Sequence, residues 1–347
     1  MIKLFRWLNL LLVLVTLLCY LSPYVPPARF SWLGILGTGY PILVICHVFF
    51  LLFWAWQWKN YWWYSALALL TGVMYLGHFF GIQTSPVLSV DNIRIATYNI
   101  GSFYNLNTGK RPDTAGFNRL IWATDADVLC LQEVALKTSV LDRHLKKYRS
   151  LTAYPYRFWQ KGTSAVIFSK FPIVNQGQIK LDTYVNGCIF VDLNVHGRKI
   201  RVYAIHLQSN KITVATNDLA SEGDLSEKET WSKAKHIVDR VRNVAGVRAK
   251  QAAIIKAHQA QSPHPAVICG DFNETPLSYT YRQLSAGMQD AFYSAGSGLG
   301  FTYSGKYPFL ALDYILADRT FNINYSKVVR SSYSDHYLVV SDMKWNK

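Results

Sequence analysis

The sequence predicts an α/β domain placed behind a membrane-embedded helical segment. Three observations carry that expectation. Residues 1–82 contain no Asp or Glu and only Lys3, Arg6, Arg29 and Lys59 as charges. Beyond them, short β-branched runs alternate with helically spaced apolar residues through to the C-terminus. Several of those runs end in a single acid, amide or imidazole.

The N-terminal segment comes first. Trp7–Tyr24, Phe30–Trp58 and Tyr61–Val90 carry no formal charge. Helices are expected at about 7–24, 33–57 and 62–82, three crossings of a hydrocarbon core roughly 30 Å thick. Pro41 should kink the second, and the Trp and Tyr residues from Trp54 to Tyr64 read as an interfacial belt. His47 and His78 stand alone in apolar context and read as bundle-facing. Lys3 and Arg6 look like the n-region of a signal peptide, yet no small-x-small cleavage site follows Leu18, so a retained anchor is expected. Lys3, Arg6 and Lys59 fall on one side and Arg29 on the other. The positive-inside rule then puts the N-terminus in the cytoplasm, and three crossings put the large domain outside, periplasmic or extracellular. Residues 83–91, with Ser85-Pro86, read as a linker. At about 3.3–3.6 Å per residue it reaches no more than about 30 Å and keeps the domain, residues 92–347, close to the bilayer.

Of the 36 basic residues, 32 lie in residues 83–347 against all 21 acidic ones, so +11 of the overall +15 falls there. Such a balance favours an anionic partner: nucleic acid, anionic lipid or a phosphate-bearing substrate. The five cysteines form no C-x-x-C pair or His/Cys cluster and read as small buried hydrophobes. Gly296–Gly305 is glycine-rich but lacks G-x-x-x-x-G-K-[ST], so no nucleotide cofactor is expected.

Within the domain, Ile93–Asn99 alternates as a strand and ends in an amide. Gly101–Asp113 is a polar loop, and Thr114–Thr124 a helix. Asp127–Glu133 is an apolar strand with a carboxylate at its exit. Leu141–Tyr148 reads as helix, and Ser164–Phe168 and Cys188–Val195 as strands. Lys199–Ile205 is another strand, closed by His206. Lys211–Glu229 is a long loop of the kind that selects substrates. Trp231–His258 has helical spacing, with Gly246 placed to bend or split it. Leu277–Leu284 reads as helix. Leu310–Leu316 is a strand with Asp313 inside it, a charge that is costly unless paired. Ser334-Asp335-His336 precedes the last strand, Tyr337–Ser341, and His336 is an available partner for Asp313.

The most informative stretch is Val267-Ile268-Cys269-Gly270-Asp271-Phe272-Asn273. An apolar strand is broken at Gly270 and delivers an acid and an amide two residues apart. Extended alternation would point Asp271 and Asn273 the same way with Phe272 opposite. A carboxylate can orient a water, and an amide can donate to an oxyanion, which suits phosphoester cleavage.

Taken together, Tyr98-Asn99, Leu131-Gln132-Glu133-Val134, His206-Leu207-Gln208, Gly270-Asp271-Phe272-Asn273, Asp313-Tyr314-Ile315-Leu316 and Ser334-Asp335-His336 resemble the endonuclease/exonuclease/phosphatase superfamily over residues 92–345. The resemblance implies a four-layer α/β sandwich, two mostly antiparallel sheets face to face with helices outside, and a site at one edge. It implies Mg²⁺ (or Mn²⁺) held by Glu133, with Asn99 and Asp335 beside it. Asp271 would position or deprotonate the attacking water. Asn99, Asn273 and His206 would bind the phosphate, and Asp313 would hold His336 against it. Arg248 with Gln251 and Ala252 looks like the family's Arg-x-x-Gln helix feature. One departure is Ala311-Leu312, where bacterial relatives often carry a basic residue. The reaction expected is attack by water on a phosphodiester or phosphomonoester near the membrane, a lipid headgroup or envelope component. An extracytoplasmic nuclease is the second reading, and a binding protein on an inactive hydrolase scaffold the third.

Overall fold

Strands buried on both faces, such as Val128–Gln132, in which all five residues are buried, form only where helices or a second sheet cover each side. A computed structural model of the chain describes residues 1–347 except 31, 84–91, 106–107, 112, 135–136, 182–185, 210–227, 306–308 and 347. The expected linker from 84 onward, and most of the expected loop Lys211–Glu229, lie outside the described residues. The chain divides into two compact units: Met1–Gly77 with Asn210–Ala249 and Glu274–Gln283, and His78–Ser209 with Lys250–Asn273 and Leu284–Lys347.

The first unit contains α1 (Ile2–Leu21), α2 (Trp32–Thr38), α3 (Tyr40–Trp56), α4 (Trp62–Thr71) and α5 (Val73–Leu76). Among the described residues one helix, running from Ile2 through the tight turn at Tyr24, is by itself long and apolar enough to cross a membrane. The expectation of three spans is therefore corrected to one, or two if α2 and α3 count as one broken span. Those two helices meet at 61°. The break falls at Gly39, just ahead of Pro41, whose ring and missing N–H oppose continuation from the preceding turn. The third span fails because Gly72 separates α4 from α5. Ten residues at about 1.5 Å each give α4 only about 15 Å. Inside this unit a fully buried polar chain links three helices. Trp54 Nε1 donates to Asn9 Oδ1 (3.1 Å), and Asn9 Nδ2 to Ser65 Oγ (2.7 Å). Ser65 Oγ lies 2.9 Å from His47 Nδ1, and Thr16 Oγ1 2.9 Å from His47 Nε2. His47 is thus a satisfied, inward-facing histidine.

The second unit starts with a further correction. Phe80–Ile82, expected as the end of a helix, is strand β1. The remaining elements, in order, are β2 (Ile93–Asn99), α6 (Thr114–Thr124), β3 (Val128–Gln132), α7 (Thr138–Lys147), α8 (Arg149–Thr152), β4 (Tyr156–Trp159), β5 (Val166–Ser169), β6 (Ile173–Ile179), β7 (Gly187–Val195), β8 (Arg198–His206), α9 (Lys228–Ala260), β9 (Ala266–Asp271), α10 (Tyr279–Ser285), β10 (Met288–Asp290), α11 (Ala291–Ala295), β11 (Gly296–Leu299), β12 (Asp313–Asp318), β13 (Phe321–Val329) and β14 (Leu338–Trp345). Helices α9 and α10 are each divided between the two units. Gly246 does not split α9: the 33-residue helix runs through it, and its Cα faces open space.

One sheet has the order β1-β11-β13-β14-β2-β3-β5-β4 and the other β10-β12-β9-β8-β7-β6. Pairs β2–β3, β8–β9 and β11–β13 are parallel and the rest antiparallel. Inward residues of both sheets, among them Ile95, Cys130 and Ile167 from one and Val191, Val202 and Cys269 from the other, make a single core. The opposite face of the eight-stranded sheet, with Tyr98, Leu129 and Phe168, packs under Phe117, Ile121, Leu141 and Leu151 of α6–α8. This is the expected two-sheet α/β arrangement with helices outside. All five cysteines are free.

A buried ion pair ties β7 to β8. Asp192 and Arg201 face each other in register, joined by bonds of 2.6 and 2.8 Å, while Asn175 donates to the same carboxylate at 2.9 Å. Burial pushes the Asp192 carboxyl up, but the Arg201 and Asn175 bonds more than reverse it, and the net shift is downward. Its stabilisation is present above the ordinary carboxyl value and is lost as pH falls through the depressed one. Asp192→Asn should destabilise the full chain by about 3–5 kcal/mol at neutral pH, because it leaves a buried guanidinium unpaired. Thermal or denaturant unfolding of the detergent-solubilised protein measures this; the loss should shrink on acidification.

Candidate active site

Strand direction brings the polar strand ends together. The parallel pairs β2–β3 and β8–β9 finish at one rim, delivering Asn99, Gln132 followed by Glu133, His206 and Asp271. The antiparallel neighbours β12 and β14 begin there. Asp313 opens β12 in register with Asp271, and His336 stands just before β14. Asp313 is therefore the first residue of its strand and not an interior one.

Asp271, 1% exposed, is the hub. Its Oδ2 accepts from Asn99 Nδ2 (3.0 Å) and Asn273 Nδ2 (3.1 Å), and its Oδ1 from the Asn273 backbone N–H (2.8 Å). His206 Nε2 lies 3.7 Å and His336 Nε2 3.9 Å from Oδ2. The local backbone differs from the expected extended run. Gly270 stays inside β9 at φ +141°, where a Cβ would overlap the Ile205 carbonyl, and Asn273 turns left-handed at φ +53°. Asp271 and Asn273 thus meet through a turn in which the acid caps the amide's own N–H. Phe272 points away, packed on Tyr314.

Glu133 is also left-handed, at φ +57°. For a residue without an Asn-like side chain this costs of the order of 1–3 kcal/mol, and such strain concentrates at functional sites. Its Oε1 accepts from Asn99 Nδ2 at 3.2 Å and lies 3.6 Å from His206 Nε2. The Glu133 side chain is 34% exposed, in contrast to the buried acids around it. Asn99 turns its amide nitrogen to both carboxylates and its oxygen to the Gly101 N–H (3.0 Å). Buried Asp335 is shifted up by burial, against the pull of His336 and with a push from Glu133's charge.

His336 Nδ1 is 2.8 Å from Asp313 Oδ2. Burial alone would push the His336 ring down; Asp313, Asp271 and Asp335 outweigh it, and the net shift is well upward. Asp313 is shifted up as well, by burial first, with His336 opposing and Asp271 adding to the rise. His206 has Ser164 Oγ at 3.0 Å from Nδ1, while Nε2 is buried without a hydrogen-bond partner among the described residues.

All of the site residues named from sequence meet at this rim: Asn99, Glu133, His206, Asp271, Asn273, Asp313, Asp335 and His336. Three supporting residues, Ser164, Thr302 and Tyr303, were missed, whereas Ser334, Arg248 and Gln251 stood in motifs quoted from the sequence. Ser164 orients His206. Thr302 Oγ1 accepts the Leu312 and Asp313 N–H groups, and the Tyr303 ring meets His336 edge-on at 5.2 Å. Ser334 Oγ donates to the Asn99 carbonyl (2.8 Å) and accepts the His336 N–H (3.2 Å), tying the two chain segments together. On α9, Gln251 accepts the Gln208 N–H (2.9 Å), while Arg248 pairs with Glu274 (2.8 Å).

Residues 96–336 match the Endonuclease/Exonuclease/phosphatase family. The chain belongs to that family. It is accordingly an enzyme, a metal-dependent hydrolase of phosphoesters. Residues 2–79 match a second family, described as Domain of unknown function (DUF8431). No curated protein sequence matches the chain. Among solved structures, an endonuclease/exonuclease/phosphatase from Beutenbergia cavernae DSM 12333 shares 19% identity over 74% of this chain and 72% of that one, with a TM-score of 0.54. A family protein from Bacteroides thetaiotaomicron shares 15% over 76% and 100%, at 0.52. D. rerio TDP2 complexed with single strand DNA product shares 16% over 73% and 99%, at 0.51. These likenesses concern the fold.

Among the described residues, one cluster of metal-ligating side chains and one partly exposed carboxylate stand at the rim. Asp271, Asp313 and His336 offer atoms within 4.8 Å of one another. Asp271 Oδ2 is engaged by two amides and Asp313 Oδ2 by His336, while Asp313 Oδ1 is buried with no hydrogen-bond partner among the described residues. The Glu133 carboxylate, 34% exposed, offers oxygen to solvent, which suits a hard cation that keeps several waters. The residues present fit such an ion.

The His336–Asp313 pair has a measurable consequence. Below the ordinary imidazole value the ring is charged whether or not the pair forms; the pair keeps it charged above that value, and its stabilisation is lost as pH rises through the raised value. In an NMR titration the His336 ring should stay protonated beyond pH 7. In Asp313→Asn its value should fall relative to the native chain, with Asp271 and Asp335 still opposing burial. An unmoved titration would contradict the pairing.

Proposed function

We propose that the chain is a Mg²⁺-dependent (or Mn²⁺-dependent) phosphoester hydrolase, anchored in a membrane through α1, that cleaves a phosphodiester or phosphomonoester presented near the bilayer. The observation carrying the catalytic part is His206 Nε2, buried, with no hydrogen-bond partner among the described residues, and 3.6–3.7 Å from the Glu133 and Asp271 carboxylates. A ring nitrogen so placed lacks an acceptor, and a phosphoryl oxygen entering between the acids supplies one.

The roles follow from position. Glu133, with Asp335 and Asn99 beside it, would hold the cation, which when bound neutralises charge building on the phosphoryl oxygens. Asp271 orients the attacking water and takes its proton. Its grip by the amides of Asn99 and Asn273 fixes the direction of attack. His206 and Asn273 donate to the phosphoryl oxygens. His336, kept charged by Asp313, faces the developing negative charge.

The membrane part rests on the apolar N-terminal helix and on the exposed apolar residues of the helices after it, among them Leu52, Trp56 and Leu70. With α1 as a single crossing and Lys3 and Arg6 inside, the catalytic domain is extracytoplasmic; a second full crossing would return it to the cytoplasm. Protease accessibility in intact cells separates the two. A second reading, an extracytoplasmic nuclease, draws on the +11 balance of residues 83–347 and on the fold shared with D. rerio TDP2, solved with single strand DNA product.

Purified full chain with Mg²⁺ should hydrolyse a phospholipid headgroup ester or a bis-aryl phosphodiester, and Asp271→Ala should lose about 10²–10⁴-fold in rate. Efficient nicking of plasmid DNA with lipid untouched would replace the lipid reading by the nuclease one. Glu133→Gln should raise the Mg²⁺ concentration for half-maximal activity by roughly tenfold or more without altering the melting temperature. An unchanged Mg²⁺ titration would remove Glu133 from the metal site.

A further inference from the structure

The residue bonded to Asn273 is Glu274, and the segment it starts, Glu274–Gln283, belongs to the same compact unit as the N-terminal helices. Three contacts inside that unit fasten the segment to them. Thr275 Oγ1, buried, donates to the Gly37 carbonyl at 3.2 Å. The Gly37 Cα stands so close to the Leu277 carbonyl oxygen that any Cβ there would overlap it, with Ser22 Oγ 3.1 Å from the same point. The Arg282 guanidinium lies 4.3 Å from the centre of the Tyr24 ring. Nearby, Arg248 and Glu274 form a buried ion pair at 2.8 Å, and Arg242 lies 5.0 Å from the ring centre of Trp32. The chain therefore passes, within one residue, from the acid–amide turn of the site into a clamp built by α2 and the turn before it.

That turn is left-handed at Asn273, which donates to the Leu207 carbonyl at 3.1 Å as well as to Asp271. A left-handed turn that aims a side chain keeps its geometry only while the chain on both sides is held. On one side β9 holds it. On the other the holding element is the N-terminal segment. We propose that this segment is a positioning element of the enzyme as well as an anchor: the docking of Thr275 and Leu277 on Gly37 keeps Asn273, and through it the Asp271 carboxylate, in the arrangement that turnover requires. The inference rests on the hydrolase reading above. It adds that rate depends on a contact made by the helices of the membrane segment.

Helix α2 supplies its own control. Gly34, one turn before Gly37, has nothing within 4 Å of the point where a methyl group would stand, so Gly34→Ala changes helix composition identically without touching the clamp. In full-length, detergent-solubilised protein well below its melting temperature, hydrolysis of a bis-aryl phosphodiester at saturating Mg²⁺ is compared across variants. Gly37→Ala and Thr275→Val should lower kcat about 10- to 100-fold, since sub-ångström to ångström displacements of a catalytic group cost that much. KM and the Mg²⁺ half-saturation should not move. Gly34→Ala and Thr275→Ser, which keeps the hydroxyl, should stay near the native kcat. Hydrogen exchange gives a readout free of activity: amides over 272–278 should exchange faster in Gly37→Ala and not in Gly34→Ala. Native kcat in Gly37→Ala, or exchange equal to that of Gly34→Ala, overturns the proposal. If the native chain hydrolyses no ester, the hydrolase reading falls, and the exchange comparison still decides whether the clamp holds the turn.

Discussion

A single buried carboxylate, Asp271, is what the rest of the site is arranged around. With two amide groups and one backbone N–H donating to it, and two imidazole nitrogens within 4 Å, it is held as firmly as a side chain at a strand end can be. Burying such a group is costly unless its oxygens are satisfied. That cost is met by residues from both sheets: Asn99 from one and Asn273 from the other. The face-to-face packing of the sheets and the convergence on Asp271 are thus one requirement seen at two scales. Sliding β9 by one residue would place Gly270 at the rim and turn the acid toward the opposite face.

Around that hub the charges are sorted by exposure. Glu133 is half-open to solvent, whereas Asp271, Asp313, Asp335 and His336 are buried. Within the buried set His336 lies 2.8 Å from Asp313 and 3.9 Å from Asp271. Glu133 keeps its carboxylate partly exposed. On the proposed function this division would give the hydrolytic chemistry its two halves, a preorganised interior for water and phosphate and an outer oxygen ligand for a hydrated cation.

The site was legible in the sequence because each acid, amide or imidazole interrupts an apolar strand at its end, and such interruptions are costly without a purpose. Asn99, His206 and Asp271 are of this kind. Ser164, Thr302 and Tyr303 were not legible. Small polar residues in loops look the same whether they face water or orient a histidine, and only the return of the chain to the rim tells them apart. In the N-terminal segment, composition announced apolar helices but not their breaks. Gly39 before Pro41 and Gly72 end helices that hydropathy alone would continue. Phe80–Ile82, apolar and three residues long, carries no period by which a strand could be told from the end of a membrane helix. The docking of Thr275 on Gly37 was equally hidden, since 238 residues separate them.

On the proposed reading the cation belongs to the half-open Glu133 carboxylate, with buried Asp335 beside it, and Asp271 is kept for the attacking water. Diffraction from crystals of the full chain soaked in Mn²⁺ tests that division most directly, through the position of the anomalous peak. A peak against the Glu133 carboxylate, with Asp271 still bonded to Asn99 and Asn273, is the predicted result. A peak enclosed by Asp271, Asp313 and His336, with the Asp313–His336 bond broken, would contradict it.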